Sequence, residues 1–182
     1  MIQNQSHFEK LYREFHVLVF NVALNYLQNI EDAEEITQDV FVKVNNSLDS
    51  FHQKSSFKTW IYRITINHCL DFIKKKNSQK RFFVFGKKSS NEVEYLNTAT
   101  FEHPGILMEN QEDAAILFEV INSLTQNQKI AFLLSKLDGL SNPEIAQIMQ
   151  LSVSSVESLI FRAKVALQDK LSEKFNTYHK KK

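Results

Sequence analysis

The run from Phe57 to Arg81, FKTWIYRITINHCLDFIKKKNSQKR, restricts the fold of this chain more than any other stretch. Phe57, Trp60, Ile61 and Ile64 recur three or four residues apart, the spacing of one helix face, while Lys58, Thr59, Arg63, Asn67 and Lys74 fall largely on other faces. One long helix is expected. Its basic residues Lys58, Arg63, Lys74, Lys75, Lys76, Lys80 and Arg81 are opposed within the run only by Asp71. Such a concentration suits a phosphate backbone. The same lysines also fit a solvated helix face, and Trp60 also fits a core position.

The remainder of the chain points to helices as well. Three glycines and two prolines in 182 residues are too few for the tight turns of a β-rich protein. That length holds one medium or two small domains. A net charge of +1 by itself predicts no polyanionic partner, but acidic residues crowd 31–39 and 92–119 while basic ones crowd 58–88 and 162–182. Opposed blocks imply different partners for different surfaces. Cys69 stands alone, which excludes an internal disulfide and a cysteine-held metal. The start MIQNQSHFEK lacks a basic segment followed by an apolar run, and no apolar stretch reaches the roughly 18 residues that span a bilayer. No membrane insertion is expected, and the chain reads as cytoplasmic.

Ser6 with Glu9 makes a capping box, after which Phe8, Leu11, Phe15, Leu18 and Val22 step along one face of a first helix to about Gln28. In NIEDAEEITQDVFVKV, Ala33, Ile36, Val40 and Val44 mark a buried stripe and leave Asp32, Glu35, Gln38 and Asp39 outside. Those acids suit the dipole of a helix start and equally a docking face for a basic partner. Residues 45–56, NNSLDSFHQKSS, lose the periodicity and read as a loop. After Arg81 no pattern is sustained until about Leu117, so 82–112 is expected to be a linker; its FFVF run reads as a weak strand or as a patch packed on a neighbour.

Helical pattern resumes with Leu117, Val120, Ile121 and Leu124. A capping box at Thr125 and Gln128 opens a helix to about Asp138, with Gly139 as a left-handed cap, and Ser141 with Glu144 opens a short helix from Asn142 to Met149. Ser152 then caps a longer helix whose buried face is Val156, Ile160, Ala163, Leu167 and Leu171. Short helix, brief turn and longer helix make a helix-turn-helix. The expected fold is all-α: two small helical domains, 1–81 and 113–175, joined by a flexible linker, the second containing the helix-turn-helix and followed by a basic tail, 176–182.

In a helix-turn-helix the second helix enters the major groove, where its early outward residues meet base edges and later basic ones meet phosphates. Here the outward set is Ser154, Ser155, Glu157, Ser158, Phe161, Arg162 and Lys164. Hydroxyls bond phosphate or several bases, Phe161 suits a thymine methyl, and Arg162 suits the backbone or a guanine. Glu157 is repelled by phosphates unless it accepts from a cytosine amino group. The first domain answers another problem. A base that leaves the stack, at a cost of a few kcal/mol, can be held by stacking worth about 1–3 kcal/mol. Trp60, Thr59 and Asn67 are candidate contacts for such a base.

The stretches DAEEITQDVFVKV, FKTWIYRITINHCLDFIKKK and LTQNQKIAFLLSKLDGLSNPEIAQIMQLSVSSVESLIFRAKVALQDKL resemble, in order and spacing, conserved regions two and four of the extracytoplasmic-function (ECF) class of bacterial sigma factors. The resemblance implies a dissociable subunit that binds core RNA polymerase, recognises promoter DNA and helps open it, with no cofactor, no metal and no catalytic residue, and with an anti-sigma factor as a further partner. It assigns Asp32, Glu35, Gln38 and Asp39 to the polymerase clamp. Loop 50–56 with Lys54, and Thr59, Trp60, Arg63, Asn67, Lys74 and Lys75, are assigned to the minus-ten element. Ser154, Ser155, Glu157, Ser158, Phe161 and Arg162 are assigned to the minus-thirty-five element, and the apolar surface of the same domain to the polymerase flap. An anti-sigma partner is common for the class, and the linker with Tyr95, Phe101 and Ile106 is a candidate for that interface, although no residue in the sequence demonstrates one. Two departures stand out: Glu157 where the family often has a basic residue, and Leu159 where an arginine is frequent.

Two rival readings differ in kind. An autonomous helix-turn-helix regulator would bind its site without polymerase, but such a protein has no need of a basic and aromatic helix after an acidic one. An enzyme is disfavoured because His7, His16, His52, His68, His103 and His179 lack metal spacing, no glycine-rich phosphate loop is present, and Cys69 has no activating partner readable in the sequence.

Overall fold

The computed structural model describes residues 2–48, 51, 55–86 and 111–179. All regular structure among them is helical, and the chain divides into two compact units, Met1–His103 and Pro104–Lys182.

The first unit contains α1 (Ile2–Leu27), α2 (Ile30–Ser47) and α3 (Phe57–Gly86), each packed on the other two. The buried stripe read from α2 is present, with Ala33, Ile36, Val40 and Val44 at 2% exposure or less, and Phe41 joins it. Val19, Val22 and Leu24 of α1 and Ile61, Ile66 and Cys69 of α3 close the core. Each fully buried aliphatic side chain contributes about 1.5–3 kcal/mol from removal of apolar surface from water. Thr65, fully buried, donates its hydroxyl to the Ile61 carbonyl at 2.8 Å, so no unmet donor remains there. Burial pushes the Tyr26 phenol well above its ordinary pKa, and Cys69 adds to the shift.

Several helix ends differ from those read in the sequence. Helix α1 begins at Ile2, so Ser6 lies inside it instead of capping it. It ends at Leu27, and Gln28 after it is left-handed with a φ of 57° while its N–H donates to the Leu24 carbonyl at 2.7 Å. The cap of α2 is Asn29, whose Oδ1 accepts from the Asp32 N–H at 2.8 Å. Helix α2 continues to Ser47 and takes the first residues assigned to the loop. Helix α3 runs through FFVF to Gly86, so that segment is helical in backbone and not a strand. Extending a formed helix adds one hydrogen bond per residue without a new nucleus, which outweighs the β preference of four apolar residues.

The second unit contains α4 (Gln111–Asn122), α5 (Gln126–Lys136), α6 (Asn142–Met149) and α7 (Val153–His179). Thr125 and Gln128 form the expected box, the Thr125 N–H donating to Gln128 Oε1 at 3.1 Å. Gly139 has a φ of 66°, which L side chains rarely adopt, and lets the Leu140 N–H return to the Leu134 carbonyl at 3.0 Å. The Ser141 N–H and hydroxyl both donate to Glu144 Oε2, at 2.8 and 2.6 Å, and Pro143 occupies the first turn of α6. Helix α6 stops at Gln150, left-handed with φ 58°, and Ser152 accepts the Ser155 N–H at 3.2 Å to start α7. The turn between the two helices is therefore Gln150-Leu151-Ser152. Val156, Ile160, Ala163 and Leu167 are buried as read, with Leu171 only half-buried. Beyond the turn, Lys174 pairs with Glu119 of α4, and Lys170 donates at 2.7 Å to the Oγ of Ser123 in the turn that follows α4.

Candidate nucleic-acid interface

In the first unit the site starts at the entry to α3. Ser56 caps the helix: its Oγ accepts the Thr59 N–H at 3.1 Å and lies 2.8 Å from the Thr59 hydroxyl. Thr59 is 7% exposed, so the expected outward placement is corrected. Its hydroxyl is taken up by the cap. Trp60 is half-buried in an aromatic cluster, its ring 5.0 Å from Phe51 and 5.2 Å from Phe57, with Phe57 also 5.2 Å from Phe15. The core reading of Trp60 therefore holds in part, since the ring packs on Phe51 and Phe57 and is not fully buried.

Arg63 is half-buried and Asn67, Lys74 and Lys75 are exposed. Trp60, Arg63, Asn67 and Lys74 stand three, four and seven residues apart, which places them along one face of α3. Asp71 sits in that stripe and pairs with Lys74 at 3.2 Å, both side chains largely exposed. An exposed pair of this kind is worth under about 1 kcal/mol and leaves the lysine free to exchange partners. Lys54, linker residues 87–110 with Tyr95, Phe101 and Ile106, and the tail past His179 lie outside the described residues.

The acidic face of α2 is divided. Glu35, Gln38 and Asp39 are exposed. Asp32 is turned inward, its carboxylate 18% exposed and accepting from Lys76 Nζ at 2.6 Å, with that ammonium also 5.5 Å from the Phe72 ring centre. Sequence reading missed this pairing because the partners are far apart in the chain and each looks like a surface charge locally. It also missed Val42, 60% exposed and four residues after Gln38, which extends the same face with an apolar group. Its signal was an apolar residue outside the Ala33-to-Val44 stripe.

In the second unit the start of α7 presents hydroxyls. Ser152 Oγ lies 3.1 Å from Ser154 Oγ and 2.7 Å from Ser155 Oγ, and Ser154, Ser155 and Ser158 are exposed. Phe161, 67% exposed, and exposed Arg162 follow one turn later. A phenylalanine that far out of the core has a surface role or none. Glu157 is exposed at the flank of α7 that faces α6, where the Asn142 amide donates to Glu157 Oε1 at 3.4 Å. Away from this surface, Leu117, Phe132, Lys164, Leu167, Gln168 and Leu171 line a groove of about 690 Å³ along α4, α5 and α7. No His, Cys, Asp or Glu cluster among the described residues could hold a metal ion, and no helix among them is long and apolar enough to cross a membrane.

Comparison with known proteins follows the same division. The sigma-70 region 2 model matches residues 11–79 and the sigma-70 region 4 model matches residues 114–167. The ECF RNA polymerase sigma-E factor of Escherichia coli strain K12 is 32% identical over 177 residues, covering 92% of this chain and 88% of that protein. Two solved structures share the fold. The sigma factor RpoE of Bartonella quintana, solved with the anti-sigma factor NepR, is 20% identical with a TM-score of 0.68 over 91% of this chain and 97% of its own. CnrH, solved with the cytosolic domain of CnrY, is 22% identical with a TM-score of 0.66 over 93% of this chain and 90% of its own.

Proposed function

The chain belongs to the ECF class of sigma-70 factors, and from that premise we propose how its surfaces divide the work of a promoter-specific initiation factor. The observation that carries the reading is the match of both sigma-70 regions, in order, to the two compact units. Its partners are core RNA polymerase and promoter DNA.

The exposed face Glu35, Gln38, Asp39 and Val42 binds the polymerase clamp, combining acidic groups with one apolar anchor. Asp32 supports this face from beneath through Lys76 instead of contacting polymerase. Trp60 and Asn67 hold an unstacked base of the minus-ten element, Lys54 contacts the same element, Ser56 and Thr59 fix the first turn of α3, and Arg63, Lys74 and Lys75 take the phosphates. The packed side of Trp60 matters here, because a ring already held by Phe51 and Phe57 loses little freedom when a base stacks on it. Ser154, Ser155, Ser158, Phe161 and Arg162 read the minus-thirty-five element as duplex. The groove lined by Leu117, Phe132 and Leu167 meets the polymerase flap.

The protein acts by binding and strand capture, without catalysis of its own, in the cytoplasm. An anti-sigma factor is a further partner, as one is for the Bartonella quintana relative. Transcription from a pool of random promoters by sigma-free core polymerase tests the reading. Starts at defined sites sharing two spaced elements, only when this protein is present, are expected. Sequence-specific binding by the protein alone, with no effect on core, would favour an autonomous regulator.

A further inference from the structure

Glu157 sets a problem that the geometry around it resolves. A carboxylate on a helix that enters the major groove is repelled by the flanking phosphates, and no ion pair to Glu157 exists among the described residues. At roughly 100° per residue, Val156, Ile160 and Ala163 point inward and Ser154, Ser158 and Phe161 outward. Glu157 lies on the flank between them, where the side chain of Asn142, first residue of α6, donates to its Oε1 at 3.4 Å. Glu144, the other acid nearby, is already satisfied by the Ser141 N–H and hydroxyl. Asn142 thus steadies one carboxylate oxygen without cancelling its charge, and Oε2 remains an acceptor for a donor from outside the protein.

Resting on the reading of α7 as the minus-thirty-five reader, we propose that Glu157, positioned by Asn142, selects a C·G pair at one edge position of that element by accepting from the cytosine exocyclic amino group. The choice among bases follows from their major-groove edges. Guanine offers only acceptors there, and thymine an acceptor and a methyl, so both leave the carboxylate desolvated or repelled. Adenine offers an amino group, but its N7 acceptor lies beside it and faces the second oxygen. Cytosine alone offers a donor with no acceptor on its own major-groove edge. The residue therefore lowers affinity for most sequences and compensates at one pair, which makes it a specificity determinant more than a source of affinity.

The test uses the full chain with sigma-free core polymerase on a library randomised across the upstream element, with Glu157→Gln and Asn142→Ala beside the wild type. The wild type is expected to enrich C·G at one position by at least about five-fold, the lower bound for one good base contact. Glu157→Gln, nearly isosteric, is expected to move that position to A·T, because an amide accepts from adenine N6 and donates to N7. Asn142→Ala, a change at a positioning residue, is expected to reduce the C·G enrichment at that position and leave the others alone. An unchanged profile for Glu157→Gln overturns the proposal. So does a loss of output for Asn142→Ala spread evenly over all positions, which marks a structural role only. A wild type that initiates with no shared upstream element overturns the reading of α7 itself and this inference with it, a result distinguishable from the first because it appears without any substitution.

Discussion

Helices α3 and α7 are close in length, 30 and 27 residues, yet the function proposed above assigns them to different states of DNA. Helix α3 opens beside a packed aromatic cluster and continues as a cationic stripe. Helix α7 opens on a tight turn and offers three small exposed hydroxyls, with the exposed Phe161 ring and Arg162 a turn later. The difference follows from what each must offset. Holding a base outside the stack requires a π surface fixed in advance and charges to keep the strand near. Reading a closed duplex requires short side chains at the end of a helix that fits the groove. The polar group at the start of α3 is accordingly spent internally, Thr59 on Ser56, whereas those at the start of α7 face outward.

The sharpest way to break this comparison is to damage one unit's core and watch the other. Ile61→Ala and Ile145→Ala each remove a fully buried side chain and are expected to destabilise their own unit by about 2–5 kcal/mol. Trp60 is the single tryptophan, so its fluorescence in urea follows the first unit alone while circular dichroism follows both. Ile61→Ala should shift the fluorescence midpoint and Ile145→Ala should not. Equal shifts would mean that the two units unfold as one.

Two smaller changes sharpen the contrast within each unit. Lys76→Ala leaves the largely buried Asp32 without its cation and should lower the fluorescence-detected stability by about 1–2 kcal/mol, between the values of exposed and buried pairs. A variant as stable as wild type would show that Asp32 is a surface acid after all. Gly139→Ala places a Cβ in open space at a φ of 66°, so only backbone strain opposes it. A loss of about 1 kcal/mol confined to the second unit is expected, read by circular dichroism. The smallest effect is that of Lys75→Ala, which should reduce the slope of log affinity against log salt by about one for holoenzyme on promoter DNA. An unchanged slope would place Lys75 away from the backbone.

Periodicity made the buried stripes of α2 and α7 legible, and the capping pairs Thr125–Gln128 and Ser141–Glu144 located helix starts to the residue. The single-residue cap Ser152 was legible because a buried stripe follows it, whereas Asn29 was not separable from ordinary loop polarity. The end of α3 was misread because FFVF carries strand preference locally, while the helix already formed upstream decides its backbone. The exposure of candidate residues was legible where it follows from helix phase, as for Asn67, Ser158 and Phe161. Thr59 and Asp32 failed because burial there depends on partners that no local pattern reveals: the cap of the same turn, and a lysine on another helix. The Asn142 contact to Glu157 was hidden for the same reason.

The claim that the first unit captures opened DNA while the second reads duplex is tested most directly by permanganate reactivity of minus-ten thymines in holoenzyme on a defined promoter, at concentrations that saturate DNA binding. With Asn67→Ala or Trp60→Ala the complex should form while thymine reactivity falls by about five-fold or more, the loss expected from one stacked or bonded base. With Phe161→Ala reactivity should return to the wild-type level once binding is saturated. Normal reactivity for the α3 variants, or a defect in Phe161→Ala that saturation does not remove, would contradict the account.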